Sequence, residues 1–452
     1  MDKQHENPLG VEPINHLMAR FAIPSIIAML VSALYNMVDQ FFIGHSVGMQ
    51  GNAATNVAFP LTITCTAVSL LFGIGGAANF NLSMGRKKPE EAKHFIGNAI
   101  FLMLSFGITL CLLVFLFLDP LLNLFGATED ILTYSRTYTS ITAFGFPFVI
   151  LATGGSNLVR ADGSPNFSMA CTLIGCLINL VLDPLFIFVF HMGMAGAAWA
   201  TIIGQIISAS MVIWYLTHFK TVKLTLKELR PRVFACRRIL SLGMSPFLNQ
   251  LAIMIVQVVM NNVLVFYGGQ SVYGSEIPLA CAGIISKVNM IFFSISIGLS
   301  QGMQPIASFN YGAENYGRVR EAVIKTMTAS TLICTVAFIL FQLFPRQITG
   351  IFGSGSEEYF TFASRYFRIF LFFTFLNGIQ PVAGNFFTAI GKPVYGIFIS
   401  LTRQILFLLP LILILPRFFG IDGVLYSAPI ADFMAAVLAF FLTFRQLNKL
   451  GK

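Results

Sequence analysis

Long apolar stretches alternate with short polar ones along the whole chain. About twelve of them are long enough to cross a bilayer, because ~20 apolar residues span the ~30 Å hydrocarbon core. The short alternating segments of a membrane β-barrel are absent. The pattern therefore predicts an all-α membrane protein with transmembrane helices near residues 16–43, 53–84, 93–118, 131–160, 165–190, 194–218, 235–267, 277–310, 318–343, 357–390, 394–419 and 422–446.

The basic residues indicate how the helix bundle is oriented in the membrane. The chain has 452 residues, 56% of them hydrophobic and only 10% charged, with a net charge of +9. Lys and Arg concentrate in alternate connections, above all in the central one and around Arg86 to Lys93. By the positive-inside rule, we expect both termini and the central connection in the cytoplasm of a cell-membrane protein. Because the positive charge is explained by the membrane topology, no nucleic-acid partner is expected.

An internal duplication divides the chain. The longest polar interval, residues 219–234, separates two sets of six predicted helices, and Gly75 with Gly85 in the first set matches Gly302 with Gly312 in the second at a constant offset. An even number of helices gives the two copies the same orientation, as parallel repeats. We expect an amino-terminal lobe at 1–218, a cytoplasmic linker at 219–234 and a carboxy-terminal lobe at 235–452, enclosing a central cavity.

Two carboxylates lie inside otherwise apolar helices. Asp39 is in the first predicted helix and Asp183 in the fifth, and Asn179 precedes Asp183 by one turn on the same face. A charge at membrane depth costs at least ~2.5–3.5 kcal/mol, so such groups face a cavity, take up protons or have partners. Loss of solvation and a second carboxylate nearby both favour the protonated form. Asp39, Asn179 and Asp183 are therefore candidates for proton coupling.

Other polar or helix-breaking residues are secondary candidates. Pro24 removes a backbone hydrogen bond from the first helix, which allows a kink and hence a gate. In the second half, Lys287 is a candidate cavity-lining cation, and Arg403 with Asp432 is interpreted as a structural ion pair. Arg160 is interpreted as an anchor at the membrane interface. No catalytic residue, cofactor or metal site is expected, because no metal-ligand spacing or hydrolase motif lies at membrane depth.

Several motifs together resemble the MATE (multidrug and toxic compound extrusion) transporters. No single motif is specific, but their order, their spacing and the duplicated halves are. The resemblance covers essentially the whole chain. The motifs are Pro24 with Asp39 to Gly44, Arg160 to Pro165, Asn179 to Pro184, Gly196 to Thr201, and Gln304 to Gly312.

The resemblance implies a twelve-helix antiporter that exports organic cations or amphipathic drugs as a cation enters. It assigns the coupling ion to Asp39, Asn179 and Asp183, and adds Thr201 to their network. By position it also suggests Tyr138. The candidate cavity or gating residues are Pro24, Tyr35, Tyr138, Asn157 and Lys287. The sodium-coupled branch of the family has acids on the seventh and tenth helices, but residues 235–267 and 366–390 of this chain contain none. Protons are therefore favoured over sodium as the coupling ion.

Two alternatives stay open. One is a sodium-coupled exporter of the same family, using the first lobe. The other is a flippase for a lipid-linked saccharide, which shares the layout but calls for a basic cavity in the first lobe, where few basic residues occur. A membrane-embedded enzyme is disfavoured for want of a catalytic motif.

Overall fold

A computed structural model describes residues 7–352 and 356–451, and these form helices without a strand. Ten helices are long and apolar enough to cross a membrane, and two sharply bent pairs bring the number to twelve. The predicted all-α membrane fold is confirmed. We number the spans 1 to 12: Ile14–Ser46, Met49–Gly85, Pro89–Leu116, Glu129–Phe144 with Phe146–Ala161, Pro165–Pro184 with Leu185–Val189, Gly193–Thr217, Val233–Gly269, Glu276–Gly312, Tyr316–Leu343, Glu357–Phe370 with Ile379–Ala389, Pro393–Phe419 in short pieces, and Ile421–Leu447.

The bends of spans 4 and 10 are the main departure from continuous predicted helices. Span 4 turns by 54° around Gly145, and span 10 turns by 42° before Ile379. Pro147 has no N–H to donate, so the first bend falls where a helical hydrogen bond is missing. In span 5 the chain widens into a π-helical turn directly after Pro184, for the same reason.

The two halves exchange the beginnings of their first helices at one end of the molecule. Ala235 and Ile239, at the start of span 7, belong to the apolar core of the first half. Leu17 and Phe21, at the start of span 1, pack into a core formed by spans 8 to 12. We call this the linker end, because the chain between spans 6 and 7 lies there. The halves are thus interlocked at the linker end.

Glycines allow the backbones of the two halves to touch there. A Cβ on Gly243 of span 7 would overlap the carbonyl group of Leu71 in span 2. In a second contact at the linker end, a Cβ on Gly302 of span 8 would lie 2.6 Å from the Cα of Ala22 in span 1. Such separations leave no room for a side chain. The linker end is therefore closed by direct helix-to-helix contact.

The opposite end is open between the halves. A cleft of about 460 Å³ lies between spans 1, 2 and 8, lined among others by Phe41, Asn52 and Lys287. The molecule is therefore closed at the linker end and open at the far end.

The linker itself is held against the first half by two buried polar side chains. Asn98 of span 3 accepts a hydrogen bond from the backbone N of Arg232 at 2.7 Å. Asp162, after span 4, accepts hydrogen bonds from the backbone N of Lys220 at 2.7 Å and from the hydroxyl of Thr221. The helices end at Thr217 and resume at Val233, close to the predicted linker, and we retain the division into lobes as a proposal.

Substituting Gly243 by alanine tests the closed linker end. The added methyl group would overlap the Leu71 carbonyl, and overpacking of this kind costs about 1–3 kcal/mol. We expect the apparent melting temperature of the purified protein to fall by several degrees. Gly283→Ala in span 8 is the matched control, because its Cβ would meet no atom within 4 Å. Equal melting temperatures for the two variants would contradict the tight contact.

Candidate functional site

The carboxyl groups of Asp39 and Asp183 face each other within hydrogen-bonding range. Asp39 comes from span 1, and Asp183 is the penultimate residue of the regular part of span 5. Asp183 is fully buried at 0% exposure, and Asp39 is partly buried. Two carboxylates are both acceptors, so a hydrogen bond between them requires a proton on one. The expectation that the two acids lie at similar depth in the first half agrees with this geometry.

Asn179 orients Asp183. In the amide orientation that satisfies both of its ends, Nδ2 donates to Oδ2 of Asp183 at 2.7 Å and Oδ1 accepts from the backbone N of Thr201 at 2.9 Å. The hydrogen bond predicted from the four-residue spacing is confirmed. Because Thr201 lies on span 6, the amide ties Asp183 to the neighbouring helix, and the carboxyl group is held in one orientation.

Two tyrosines complete the cluster. The hydroxyl groups of Tyr35 and Tyr138 both lie within hydrogen-bonding range of Thr201, whose own hydroxyl donates to the carbonyl O of Ala197 at 3.0 Å. We call the group the acid cluster. It draws on spans 1, 4, 5 and 6 and consists of Tyr35, Asp39, Tyr138, Asn179, Asp183 and Thr201.

The acid cluster has the chemistry to hold a proton or a small cation. Oδ1 of Asp39 is buried and has no hydrogen-bond partner among the described residues. An unpaired buried oxygen is costly, and a proton or a bound cation would satisfy it. Hydroxyl and amide groups around it donate or accept as the carboxyls change charge. The cluster therefore offers a buried carboxylate oxygen that a proton or a small cation can bind.

The remaining predicted residues lie outside the acid cluster. Pro24 is buried in span 1, whose helix runs through it without a break. Asn157 lies near the linker end of span 4 and accepts a hydrogen bond from Arg160. Lys287 lines the cleft at the far end. Of the secondary candidates, only the two tyrosines join the acids.

The interpretation of Arg160 as an interface anchor is wrong. An anchor keeps its guanidinium group among lipid headgroups, whereas Arg160 is only 5% exposed. Its Nη1 donates to Oε1 of Gln301 on span 8 at 3.0 Å and to Asn157 at 3.2 Å. The arginine therefore joins the two halves at the closed end. Its partner Gln301 is not found by sequence reasoning, because an amide inside an apolar helix does not by itself indicate which residue it contacts.

The second half contains a different kind of polar cluster. Nε of Arg403 donates to Oδ1 of Asp432 at 2.6 Å, and Asn377 donates to Oδ2 of the same carboxylate at 3.0 Å. The predicted ion pair is confirmed. The side chain of Asp432 is 1% exposed, so its charge is balanced by a fixed guanidinium group. In span 7, an amide pair, Gln257 with Asn261, is bonded at 3.0 Å.

Comparison with known proteins identifies the family. A family model described as MatE matches residues 24–185 and 251–414, which is more than half of the chain and takes in both halves. The chain belongs to the MatE family. It is therefore a multi-span cell-membrane protein of a transporter family, and the resemblance noted in the sequence is confirmed.

Relatives of this MatE chain cover nearly all of its length. It is 26% identical over 434 residues to the multidrug export protein MepA of Staphylococcus haemolyticus strain JCSC1435, covering 96% of this chain and 94% of that protein. A solved structure of a MOP superfamily transporter from Pyrococcus furiosus, described as having a binding pocket of reverse polarity that suggests a different function, superposes with a TM-score of 0.92 at 21% identity and full coverage of both chains.

A second solved structure shares the fold. It is described as the outward-facing conformation of a MATE family multidrug resistance transporter, and it superposes with a TM-score of 0.90 at 21% identity, covering 98% of this chain and 99% of that one. At this identity the likeness shows the shared fold.

Replacing Arg403 by methionine tests whether the second-half pair is structural. The change would leave Asp432 buried and unpaired, and breaking a buried pair in this way costs about 3–5 kcal/mol. We expect a marked loss of thermal stability in Arg403→Met. The double variant Arg403→Met with Asp432→Leu removes both charges and should regain most of it. If the double variant were as unstable as the single one, the charge balance between the two side chains would not be what stabilises this region.

Proposed function

We propose that the protein is a proton-coupled multidrug efflux antiporter, which exports organic cations and amphipathic compounds by alternating access. The observation that carries this proposal is the facing pair of carboxyl groups, Asp39 and Asp183, within one half of a MatE transporter. Asn179 and Thr201 belong to the same coupling site through their hydrogen bonds to it and to each other. Family membership and the multidrug export relatives support the direction and breadth of transport.

Features of both halves favour protons over sodium as the coupling ion. In the first half, a hydrogen bond between the facing carboxyl groups of Asp39 and Asp183 would require a proton on one of them. In the second half, Arg403 balances the charge of Asp432, so that carboxylate offers no free charge to a sodium ion. The alternative is sodium held by the acid cluster of the first half alone. The unpartnered oxygen of Asp39 is compatible with that alternative, and transport under a single ion gradient separates the two.

Alternating access requires the closed end and the open end to exchange. The closure at the linker end consists of glycine contacts and the hydrogen bond from Arg160 to Gln301. All are reversible contacts between halves. With the termini and the linker in the cytoplasm, as the basic connections suggest, the described conformation is open to the outside. The likeness of the fold to that of a transporter in an outward-facing conformation supports this orientation.

In the proposed cycle, the outward-open form loads protons onto Asp39 and Asp183. Neutral carboxyl groups need less water around them, so the walls of the acid cluster approach one another. Span 1 then bends near Pro24, where the missing N–H leaves the carbonyl group of Arg20 without its helical donor. The bend narrows the cleft and expels the substrate. Tyr35 and Tyr138 move with the acids, while Asn157 belongs to the gate at the linker end.

The second candidate function is the flipping of a lipid-linked saccharide. It would be favoured by a basic first half, yet among the described residues of that half Arg160 is the only basic side chain that is buried. Lys287, from the second half, is a basic residue that faces the cleft. Failure of organic cations to move under any ion gradient would favour the flippase.

Transport into proteoliposomes tests the coupling. We expect a fluorescent organic cation to move under a proton gradient alone and not under a sodium gradient alone. Asp183→Asn and Asp39→Asn should each be slower by about tenfold or more, equivalent to at least ~1.4 kcal/mol in the barrier, because the amide cannot take up the proton. Asp130→Asn, exposed at the start of span 4, is the control and should transport normally. Proton-driven transport by Asp183→Asn at the wild-type rate would exclude the mechanism.

A further inference from the structure

The cleft at the far end has a basic character that the acid cluster does not explain. Lys287 of span 8 and His45 of span 1 both line it, and both are exposed. None of the lining side chains is acidic. Among the described residues, Lys287 has no ion-pair partner and its ammonium group donates no hydrogen bond. A free ammonium group therefore projects into the space between the halves.

Asp39, the one acidic residue of span 1, does not balance this charge. Met37, Gln40, Phe41 and His45 recur at helical spacing and form the stripe of span 1 that faces the cleft. Tyr35 and Asp39 share a different stripe, and their side chains meet spans 5 and 6 inside the first half. The same helix thus presents its carboxylate to the interior of one half and an uncharged or basic surface to the cleft.

The rest of the lining suits an aromatic body. Phe41 is 57% exposed, and its ring lies 4.2 Å from that of His45, centroid to centroid. Met37 adds an adaptable apolar surface. Asn52 of span 2 has a buried oxygen without a partner among the described residues, and it approaches span 1 at Gly44, where a Cβ would be 2.7 Å from its Nδ2. The cleft therefore combines a flat apolar wall, an amide and a permanent positive charge.

We propose that this cleft binds amphipathic compounds through an anionic group, with Lys287 pairing with a carboxylate on the substrate while Phe41 and Met37 cover its aromatic part. Such a compound, an aromatic acid or a zwitterion, has the charge that complements the ammonium group. A compound that carries only positive charge meets repulsion at the same place. Lys287 is thus a residue that determines specificity. This inference rests on the proposed export function and concerns its amphipathic substrates, among which it favours those with an anionic group.

The test compares two forms of one ligand on the purified full-length protein. A rhodamine with a free carboxylate and its methyl ester have the same ring system and differ in the anionic group. Binding is measured by fluorescence anisotropy at one pH and without any ion gradient, so the result does not depend on proton coupling. We expect the wild-type protein to bind the free acid more tightly than the ester.

Variants at Lys287 isolate the contribution of its charge. In Lys287→Gln, the affinity for the free acid should fall roughly fivefold, the size of a partly exposed ion pair, while the ester binds as well as before or better. Lys287→Arg keeps the charge and should keep the preference. Lys223→Gln, in the linker and away from the cleft, is the matched control and should bind both forms like the wild type.

Three outcomes would overturn the inference. An equal loss of affinity for both forms in Lys287→Gln, or no loss for the acid, would overturn the role of the charge. Absence of binding for both forms would overturn the proposed substrate class. Proton-driven transport of an organic cation is a separate measurement that none of these results changes. Failure of this inference and failure of the export function are therefore distinguishable.

Discussion

Two carboxyl groups facing each other inside an apolar helix bundle are the constraint around which the first half is arranged. Repulsion between two charges at this depth is expensive, and only a proton, a cation or a set of polar neighbours relieves it. The protein supplies the neighbours: the amide of Asn179 holds Asp183, and Thr201 links that amide to two tyrosine hydroxyls. One oxygen of Asp39 nevertheless has no partner among the described residues. A proton or a cation on this oxygen would satisfy it.

The second half also buries a carboxylate, but its charge is balanced by a side chain of the protein itself. Asp432 is neutralised by Arg403, a cation that is part of the chain and cannot leave. In the proposed cycle, this difference between otherwise similar halves lets the acids of the first half change their charge while the charge of the second-half pair stays balanced. The two halves meet at the glycine contacts of the linker end.

The sequence predicts the spans well because lipid imposes a minimum apolar length on every crossing helix. It does not predict the bends of spans 4 and 10, since hydropathy continues through them. The contact between Asn179 and Asp183 follows from one turn of helix, whereas the facing of Asp39 and Asp183 depends on how spans 1 and 5 pack. Sequence reasoning misplaces Arg160 because its partner Gln301 lies in the other half, a contact that no local pattern contains.

We propose that the acid cluster releases protons when substrate binds and takes them up when substrate leaves. The most direct measurement is the pH of a lightly buffered solution of purified transporter as an organic cation is added, with Asp39→Asn and Asp183→Asn combined as the reference variant. The account predicts that the wild-type protein releases protons on binding and that the double variant releases none. Equal release by both proteins, or release by neither, would contradict it.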